Sequence, residues 1–342
     1  MQVRLENSGR QFEASDGETI LDAAERAGIN LPYSCRDGIC GTCKARLCSG
    51  EVDHGFYAST ALTEPERDQG YFLMCTSTAC SDLLVDAPVE EVGFAPSPLP
   101  FDGRVLGIEH PTADVAILRI GLPPSVTFRF RAGQYVELLV ADGQRRSFSI
   151  ANAPRDTGAI ELHVRRVPGG LFTPTLFGTL KVGDPIPLVG PKGGFYLRTE
   201  TRPVVIVASG TGFAPIRSMV LDALHRKLQG PATLYWGGRR RADLYLHEEP
   251  LTWQQRYPGF HYVPVLSEPH PDDGWQGRTG LVHEAVLADF PDLSGHDVYA
   301  CGVPAMVEAA RRDFIGRCGL PPANFYADLF LTTADRQPGS RP

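Results

Sequence analysis

Four cysteines constrain the fold of this chain more than any other feature. Spaced as C-x4-C-x2-C-x31-C, they are Cys35, Cys40, Cys43 and Cys75. This spacing is typical of a [2Fe–2S] site, in which four thiolates hold two irons. Gly38 and Gly41 allow the backbone between the ligands to curl and to aim N–H groups at the sulfurs. The beginning of the chain is therefore predicted to fold around a cluster that carries one electron at a time.

The alternative for these residues is a set of free or zinc-bound cysteines. Zinc sites usually contain two C-x2-C pairs or added histidines, whereas this segment contains one such pair. The difference favours iron and sulfur. Cys48 and Cys80 lie outside the four-ligand pattern, and we expect them to be small buried residues rather than ligands.

Length and hydropathy restrict the remaining classes. A chain of 342 residues is too long for one ordinary core, so two or three domains are expected. No apolar run reaches 18 residues, which argues against a membrane span, and the start alternates like a strand rather than a signal peptide. We therefore expect a cytoplasmic protein, in which paired cysteines bind metal rather than form disulfides.

Negative charge is concentrated at the beginning of the chain. Residues 1–90 contain 7 Lys and Arg against 15 Asp and Glu, a net charge of −8, while the remainder has 26 against 25, a net charge of +1. An acidic front end argues against nucleic acid and suits docking to a basic patch on a partner protein. A merely solvated acidic surface is the alternative.

Composition and periodicity predict three domains joined by one clear linker. A Pro-rich stretch at 91–100 separates residues 1–90, where a strand and a helix precede the cluster loop, from the rest. Residues 101–200 contain short β-rich runs between Gly and Pro turns, which predict an antiparallel barrel. Residues 201–342 alternate strands and helices, which predicts a parallel sheet covered by helices on both faces.

Two strings in the second domain suggest a flavin site. A flavin needs an aromatic face, hydrogen bonds at its polar edge and positive charge at its pyrophosphate. The first string can supply these from Arg146, Ser147, Phe148 and Ser149. The second reads as a strand, a glycine turn and a helix start, with candidates His163, Val164, Arg165, Gly170 and Thr173. Thr173 would lie near a helix N-terminus, which suits phosphate oxygens. Each string alone also fits an ordinary edge strand.

A third string suggests a dinucleotide site. A buried strand runs into a glycine turn and then a helix, with candidates Gly210, Thr211, Gly212 and Pro215. The glycines let a pyrophosphate approach the backbone amides at the helix N-terminus. The pattern is G-x-G-x-x-P rather than G-x-G-x-x-G, which argues against an ordinary Rossmann dehydrogenase.

Two further positions follow strands of the third domain. Cys301 and Gly302 end a strand at the carboxyl edge where ligands bind; Cys301 is either a core cysteine or part of the nicotinamide site. Arg239, with two more arginines after it, follows the second strand, where arginine can hold a 2′-phosphate. A solvated basic turn is the alternative.

Taken together and in order, these strings resemble the ferredoxin–NADP reductase superfamily, in the branch with a plant-type ferredoxin fused at the N-terminus. The resemblance covers roughly residues 2–330. The branch includes reductase components of ring-hydroxylating dioxygenases and monooxygenases, and the CDP-6-deoxy-glucoseen reductases of deoxysugar synthesis. It implies a multidomain α+β and α/β architecture: a β-grasp [2Fe–2S] domain, an antiparallel β-barrel FAD domain and a parallel-sheet α/β NAD(P) domain.

The resemblance also implies residue roles. Arg146 to Ser149 match the R-x-Y-S flavin motif, with Phe148 where Tyr is usual, so ring stacking is kept and a hydroxyl is lost. Gly170 with Thr173 matches the pyrophosphate turn, and the stretch from Gly210 to Pro215 matches the nucleotide loop. Cys301 with Gly302 matches the C-G-x-P motif beside the hydride-transfer position. Phe330, with Asp328 nearby, matches the C-terminal aromatic that covers the flavin.

The predicted function is electron transfer from NAD(P)H through FAD and the cluster to a separate protein docking near the ferredoxin domain. The expected acceptor is a terminal oxygenase, with a deoxysugar dehydratase as the alternative. W-G-G-R strings resemble those of NADH-using relatives, which favours NADH over NADPH. We expect a monomer when free, and we expect His163, His247 and His283 to be surface or strand residues without catalytic roles. A free flavin reductase, which needs no iron–sulfur domain, and a redox sensor are the other classes.

Overall fold

In a computed structural model, the chain packs as two units. The structure describes residues 1–89, 99–140, 143–156, 158–198, 201–227 and 230–330. One unit comprises Met1–Ser97 with Gly193–Phe195, and the other comprises Pro98–Lys192 with Tyr196–Pro342. The predicted linker at 91–100 lies outside the described residues as far as position 98, and the next strand already includes its last two residues. The three-domain boundaries stay a prediction.

The first unit is a mixed sheet with a short helix packed on it. Its strands are β1 (Gln2–Leu5), β2 (Gln11–Glu13), β3 (Lys44–Ser49), β4 (Val52–Asp53), β5 (Tyr71–Leu73), β6 (Thr78–Ala79) and β7 (Leu83–Asp86); its helices are α1 (Ile20–Arg26) and α2 (Glu64–Asp68). Five strands pair in the order β2-β1-β7-β3-β5, with β1 parallel to β7. Val3 and Leu5 are fully buried between exposed neighbours, which fixes the register of β1.

Helix α1 follows from its end signals. Thr19 accepts a hydrogen bond from the Asp22 amide, 3.2 Å, and so caps the first turn. Gly28, with φ of +72°, follows the last turn. Four apolar residues of the helix are buried against the sheet, namely Ile20, Leu21, Ala23 and Ala24. The helix therefore brings its C-terminal end to the start of the cluster loop.

The second unit begins with the predicted antiparallel barrel. Its strands are β8 (Leu99–Thr112), β9 (Val115–Gly121), β10 (Tyr135–Leu139), β11 (Arg145–Ser149), β12 (Ala159–Arg165) and β13 (Pro185–Lys192), with α3 (Thr173–Gly178) before the last. They pair in the order β11-β10-β13-β8-β9-β12. A bridge between Ile150 and Leu162 joins the two ends of this sheet, so that it closes.

The second unit continues with a fully parallel six-stranded sheet, as predicted. Its strands are β14 (Val204–Ser209), β15 (Ala232–Gly238), β16 (Phe260–Leu266), β17 (Arg278–Thr279), β18 (Asp297–Gly302) and β19 (Phe325–Leu329), and its helices are α4 (Phe213–Arg226), α5 (Glu248–Arg256), α6 (Val282–Asp289) and α7 (Pro304–Cys318). The order is β17-β16-β15-β14-β18-β19. All six residues of β18 are buried, as expected of a central parallel strand. Within the described ranges, no helix has the length and apolar character needed to cross a membrane.

Two expectations about burial were wrong. Cys48 and Cys80 are exposed rather than buried, because Cys48 lies where β3 reaches the margin of its sheet and Cys80 directly follows the short strand β6. His283, expected on the surface or on a strand, is buried on helix α6, where its Nε2 lies 3.5 Å from Asp313.

Candidate cofactor sites

The four predicted cluster ligands come together as two pairs. Cys40, Cys43 and Cys75 are buried and Cys35 is half-buried. The side chains of Cys35 and Cys40 hydrogen-bond to each other, as do those of Cys43 and Cys75. These bonds lower the pKa of Cys40 to about 6 and lower the pKa of Cys75, while each partner's pKa rises. The two thiols of each pair are therefore close enough for one to shift the pKa of the other.

The pairing of the four cysteines fits a two-iron cluster. Two pairs suit two irons that share four thiolates. The Asp37 amide lies 3.4 Å from Cys35 Sγ, and the hydroxyl of Thr76, next to Cys75, is buried without a hydrogen-bond partner. Both are donors available to sulfur, as clusters require.

Glycine is required at the centre of the cluster loop. Gly38 has φ of +74°, and a Cβ there would lie 2.4 Å from the Phe56 carbonyl oxygen. The Gly38 carbonyl in turn accepts from the Ala58 amide, 3.0 Å. Arg36 also has positive φ, and ion pairs to Asp22 and Glu25 hold its side chain. The loop that carries the ligands is therefore fixed from both sides.

Strand β11 places the flavin candidates on both of its faces. Arg146 and Phe148 share one face, while Ser147 and Ser149 lie on the other. Arg146 donates to the Arg145 carbonyl and the Gln144 amide oxygen, which are neutral acceptors, so its positive charge is left for an anionic ligand. The half-buried Phe148 ring lies 5.4 Å from that of Phe172. Charge and an aromatic surface thus stand side by side, which fits a flavin.

Thr173 shapes the turn before its own helix. It is the first residue of α3, is buried, and donates its hydroxyl to the Val167 carbonyl, 2.8 Å. A Cβ at Gly170 would lie 2.8 Å from the Thr173 hydroxyl oxygen. The hydroxyl therefore closes the glycine turn from inside, and its contact with a phosphate stays a prediction.

Strand β12 has one apolar and one polar face. Val164 packs into the barrel core, which leaves its backbone for a cofactor contact. Glu161, His163 and Arg165 alternate with it and face the parallel-sheet part of the unit. His163 is fully enclosed between the Tyr245 hydroxyl, 2.8 Å from Nδ1, and Glu161, 3.2 Å from Nε2. Burial lowers the pKa of His163, so the ring is neutral near pH 7.

Arg165 and Asp243 connect three parts of the site. Arg165 donates to Asp243, 3.0 Å, and the same carboxylate accepts from the backbone amides of Arg239, 2.9 Å, and Arg240, 3.0 Å. Although burial opposes it, the Arg240 amide and the Arg165 charge hold the pKa of Asp243 below its usual value. The Nη2 group of Arg165 is buried without a hydrogen-bond partner, its Nε lies 3.6 Å from the Asp114 carboxylate, and its Cζ lies 3.7 Å from the Cβ position of Gly210. The Nη2 donor fits an anionic group at the glycine turn.

The glycine turn is held by close backbone approaches. The Trp236 indole donates to the Gly210 carbonyl, 3.1 Å, and its ring stacks on Phe213 with centroids 3.9 Å apart. A Cβ at Gly212 would lie 2.3 Å from the Cys301 carbonyl oxygen. Thr211 lies between these contacts in a single 3-10 turn, and Pro215 is buried in the first turn of α4. The turn therefore lies directly against the end of β18.

The structure brings the predicted hydride-transfer residues to the same edge. Gly302 has φ of +141°, and a Cβ there would lie 2.1 Å from Ser209 Oγ. Phe330 donates its amide to the Gly302 carbonyl, 2.9 Å, and its ring is partly exposed. Cys301 is fully buried, and burial raises its pKa well above the usual value. A neutral buried thiol agrees with the core alternative; stacking of Phe330 on a flavin stays a prediction.

Sequence reasoning missed the residues that join the barrel to the parallel sheet. Arg217 on α4 pairs with Glu249, 2.7 Å, and Glu161, 3.1 Å, and donates to the Ala151 carbonyl, 3.0 Å. Tyr245 lies 82 positions from its partner His163, and Arg217 lies 56 positions from Glu161. The one local signal was the acid at position 243, placed to accept the amides of the preceding arginines.

Three family models match the chain in order. They describe a 2Fe-2S iron-sulfur cluster binding domain over residues 3–80, an oxidoreductase FAD-binding domain over 103–196 and an oxidoreductase NAD-binding domain over 206–312. Each match overlaps one of the three larger sheets, although β7 and β19 lie beyond the ends of the first and third matched ranges. The cofactor types expected from the residues are therefore those of the matching models.

Whole-length relatives agree with this order. The chain is 43% identical over 331 residues to the CDP-6-deoxy-L-threo-D-glycero-4-hexulose-3-dehydrase reductase of Yersinia pseudotuberculosis, covering 97% of this chain and 98% of that protein. It is 36% identical over 337 residues to the terephthalate 1,2-dioxygenase reductase component 1 of a Comamonas species, covering 97% and 98%. Among solved structures, the Amycolatopsis cytochrome P450 reductase GcoB matches with a TM-score of 0.78 and 35% identity, covering 96% of this chain and 98% of that one.

We predict that Gly38→Ala impairs the cluster loop while Gly28→Ala does not. Both positions have φ above +70°, so both variants carry a backbone cost of about 1–2 kcal/mol. Only at Gly38 does the new methyl also meet a carbonyl oxygen, because the Cβ position at Gly28 has no neighbour within 4 Å. Iron content and the visible spectrum of the purified variants measure the effect. Equal iron content in the two variants would contradict this account of the loop.

We predict that Asp243→Asn weakens nucleotide binding. A hydrogen bond to a charged group contributes about 1.5–3 kcal/mol, so KM for NADH should rise by about tenfold or more, with a smaller change in kcat. Steady-state NADH oxidation with ferricyanide measures both constants. Asp272→Asn is the control, because Asp272 is largely exposed and pairs with His270 rather than with the arginine loop. An unchanged KM in Asp243→Asn would show that the carboxylate does not position the site.

Proposed function

Because the chain belongs to the ferredoxin–NADP reductase superfamily, we propose that its electron acceptor is a separate oxygenase protein. The chain is a member with an N-terminal [2Fe–2S] domain, and it transfers electrons from NAD(P)H through FAD and the cluster. The observation that carries the proposal is the presence of paired ligand cysteines, flavin strand and glycine turn in one chain. The matching reductase components of oxygenase systems have the same three parts over nearly their whole length.

The residues of the chain position the cofactors rather than react. When bound, FAD accepts a hydride's two electrons and the cluster passes electrons singly. The Arg165–Asp243 pair orients the glycine turn for a pyrophosphate, and Arg146 supplies positive charge beside the flavin strand. The buried thiol of Cys301 and the neutral ring of His163 are not ready to exchange protons near pH 7, as expected when no acid–base dyad is required.

A cysteine exchange tests the order of the electron path. We predict that Cys40→Ser abolishes NADH-dependent reduction of cytochrome c but leaves NADH–ferricyanide activity, since ferricyanide can accept electrons before the cluster. Cys80→Ser is the control, because Cys80 is exposed and outside the ligand set. Equal loss of both activities in folded Cys40→Ser would overturn the proposed order.

NADH is the proposed electron donor. Asp273 holds the Arg240 side chain, 3.1 Å, and Asp243 lies in the same loop as Arg240. A 2′-phosphate at this loop would therefore be repelled by two carboxylates, and Arg240 would not be free to bind it. We predict a higher kcat/KM for NADH than for NADPH, and an increased use of NADPH in Asp273→Asn because that exchange frees Arg240. Comparing both nucleotides in wild type and variant provides the measurement. A preference of the wild type for NADPH would reverse the assignment.

The second candidate acceptor is a deoxysugar dehydrase, and the 43% identity with the Yersinia reductase favours it. Reconstitution distinguishes the two: the reductase is mixed with a purified terephthalate-type oxygenase or with a hexulose dehydrase, and product formation is measured with NADH. We further propose that the free reductase is a monomer in the cytoplasm, where its thiolates stay reduced before the cluster is inserted.

A further inference from the structure

Within residues 1–89 of the first unit, one aromatic side chain, that of Phe56, faces solvent. Phe56 is 71% exposed, and within residues 1–89 no other large hydrophobic side chain is comparably exposed. The comparably exposed apolar residues of the chain, such as Val182 at 66%, belong to the second unit. A phenylalanine this exposed gains little stabilisation from burial in the unit, so its ring is available for contact with another molecule.

Phe56 lies directly on the loop that carries the cluster ligands. Its carbonyl oxygen is 2.4 Å from the Cβ position of Gly38, between Cys35 and Cys40. On the other side, the Cβ position of Gly55 is 2.3 Å from the carbonyl oxygen of Thr76, which follows Cys75. The backbone that carries the exposed ring therefore lies against the chain at two places, one between Cys35 and Cys40 and one next to Cys75.

The surroundings of Phe56 are acidic. Glu51, directly before β4, and Asp53, the last residue of β4, are exposed a few positions before Phe56, and residues 1–90 carry a net charge of −8. Arg67 is the nearby cation, and it donates to the Tyr57 hydroxyl, 3.0 Å. Burial, together with the charge of Arg67, lowers the pKa of His54, so this histidine adds no positive charge near pH 7. An apolar ring in an acidic field matches a partner with an apolar pocket inside a basic rim.

We propose that Phe56 is the apolar anchor of the surface through which electrons leave this protein, and that it docks into an apolar pocket beside the redox centre of a basic partner protein. The proposal rests on the proposed function and adds to it the exit surface and the partner's chemistry. The electron count is fixed: one NADH gives NAD⁺, one proton and two electrons, and each of two ferric partner molecules takes one.

The test uses the full chain with its cofactors and cytochrome c as the probe, a basic protein whose haem edge is apolar and exposed. In Phe56→Ala, kcat/KM for cytochrome c should fall by about tenfold or more, as for an aromatic hot spot. Phe56→Tyr should restore most of it. Val182→Ala is the matched control and should behave as wild type. NADH–ferricyanide activity and iron content should be unchanged in all three, and added salt should slow wild type and Phe56→Ala in parallel.

Three results would overturn the proposal. Cytochrome c reduction by Phe56→Ala within about twofold of wild type would remove the anchor role while leaving the proposed function intact. A loss that follows the loss of iron would make Phe56 a structural residue. If Cys40→Ser still reduces cytochrome c as the wild type does, electrons do not leave through the cluster, and both proposals are overturned together.

Discussion

The second unit depends on the polar face of one strand. Three charged or titratable groups on β12, which are Glu161, His163 and Arg165, point from the barrel toward the parallel-sheet part, where His163 is buried and the other two are half-buried. A buried charge without a partner is strongly destabilising, so each must meet a specific group of the parallel-sheet part. Arg217, Tyr245 and Asp243 are those groups. Because the pairs form only in one register, the glycine turn is fixed relative to the barrel that carries the flavin candidates.

Close backbone approaches then define the edges of the sites. At Gly38, Gly212 and Gly302, an added methyl group would lie within 2.5 Å of an oxygen atom. At Gly38 and Gly212 that oxygen is a backbone carbonyl, and at Gly302 it is the Ser209 hydroxyl, so the ligand loop, the nucleotide turn and the end of β18 each leave no space for a side chain. Sites built in this way tolerate changes in neighbouring side chains better than changes in the glycines themselves.

How much the sequence could predict depended on whether a feature was local. The ligand cysteines and the glycine turn are short patterns whose chemistry is set by spacing. In the structure the residues of each pattern lie close together. The partners of β12 were missed because Arg217 and Tyr245 lie more than fifty positions from the residues they bind. Contacts between residues so far apart in sequence produce no periodic pattern from which they could be predicted.

Exposure was the other quantity that spacing could not predict. Cys48 and Cys80 were expected inside because cysteine is usually buried, and Phe56 has no pattern that separates it from a core phenylalanine. Whether each of these side chains is exposed depends on which other parts of the chain pack over it. This is known only from the three-dimensional arrangement of the strands.

The cluster ligands have a consequence for how such proteins arise. All four sulfurs come from the stretch between Cys35 and Cys75, inside a unit with its own sheet, helix and apolar core. No residue of the barrel or of the parallel sheet is needed to complete the ligand set. A gene segment encoding the Met1–Ser97 part of this unit can therefore be gained, lost or moved to the other end of a reductase gene without dividing the metal site. Evolution can replace the electron outlet of such a reductase while leaving its nucleotide and flavin chemistry in place.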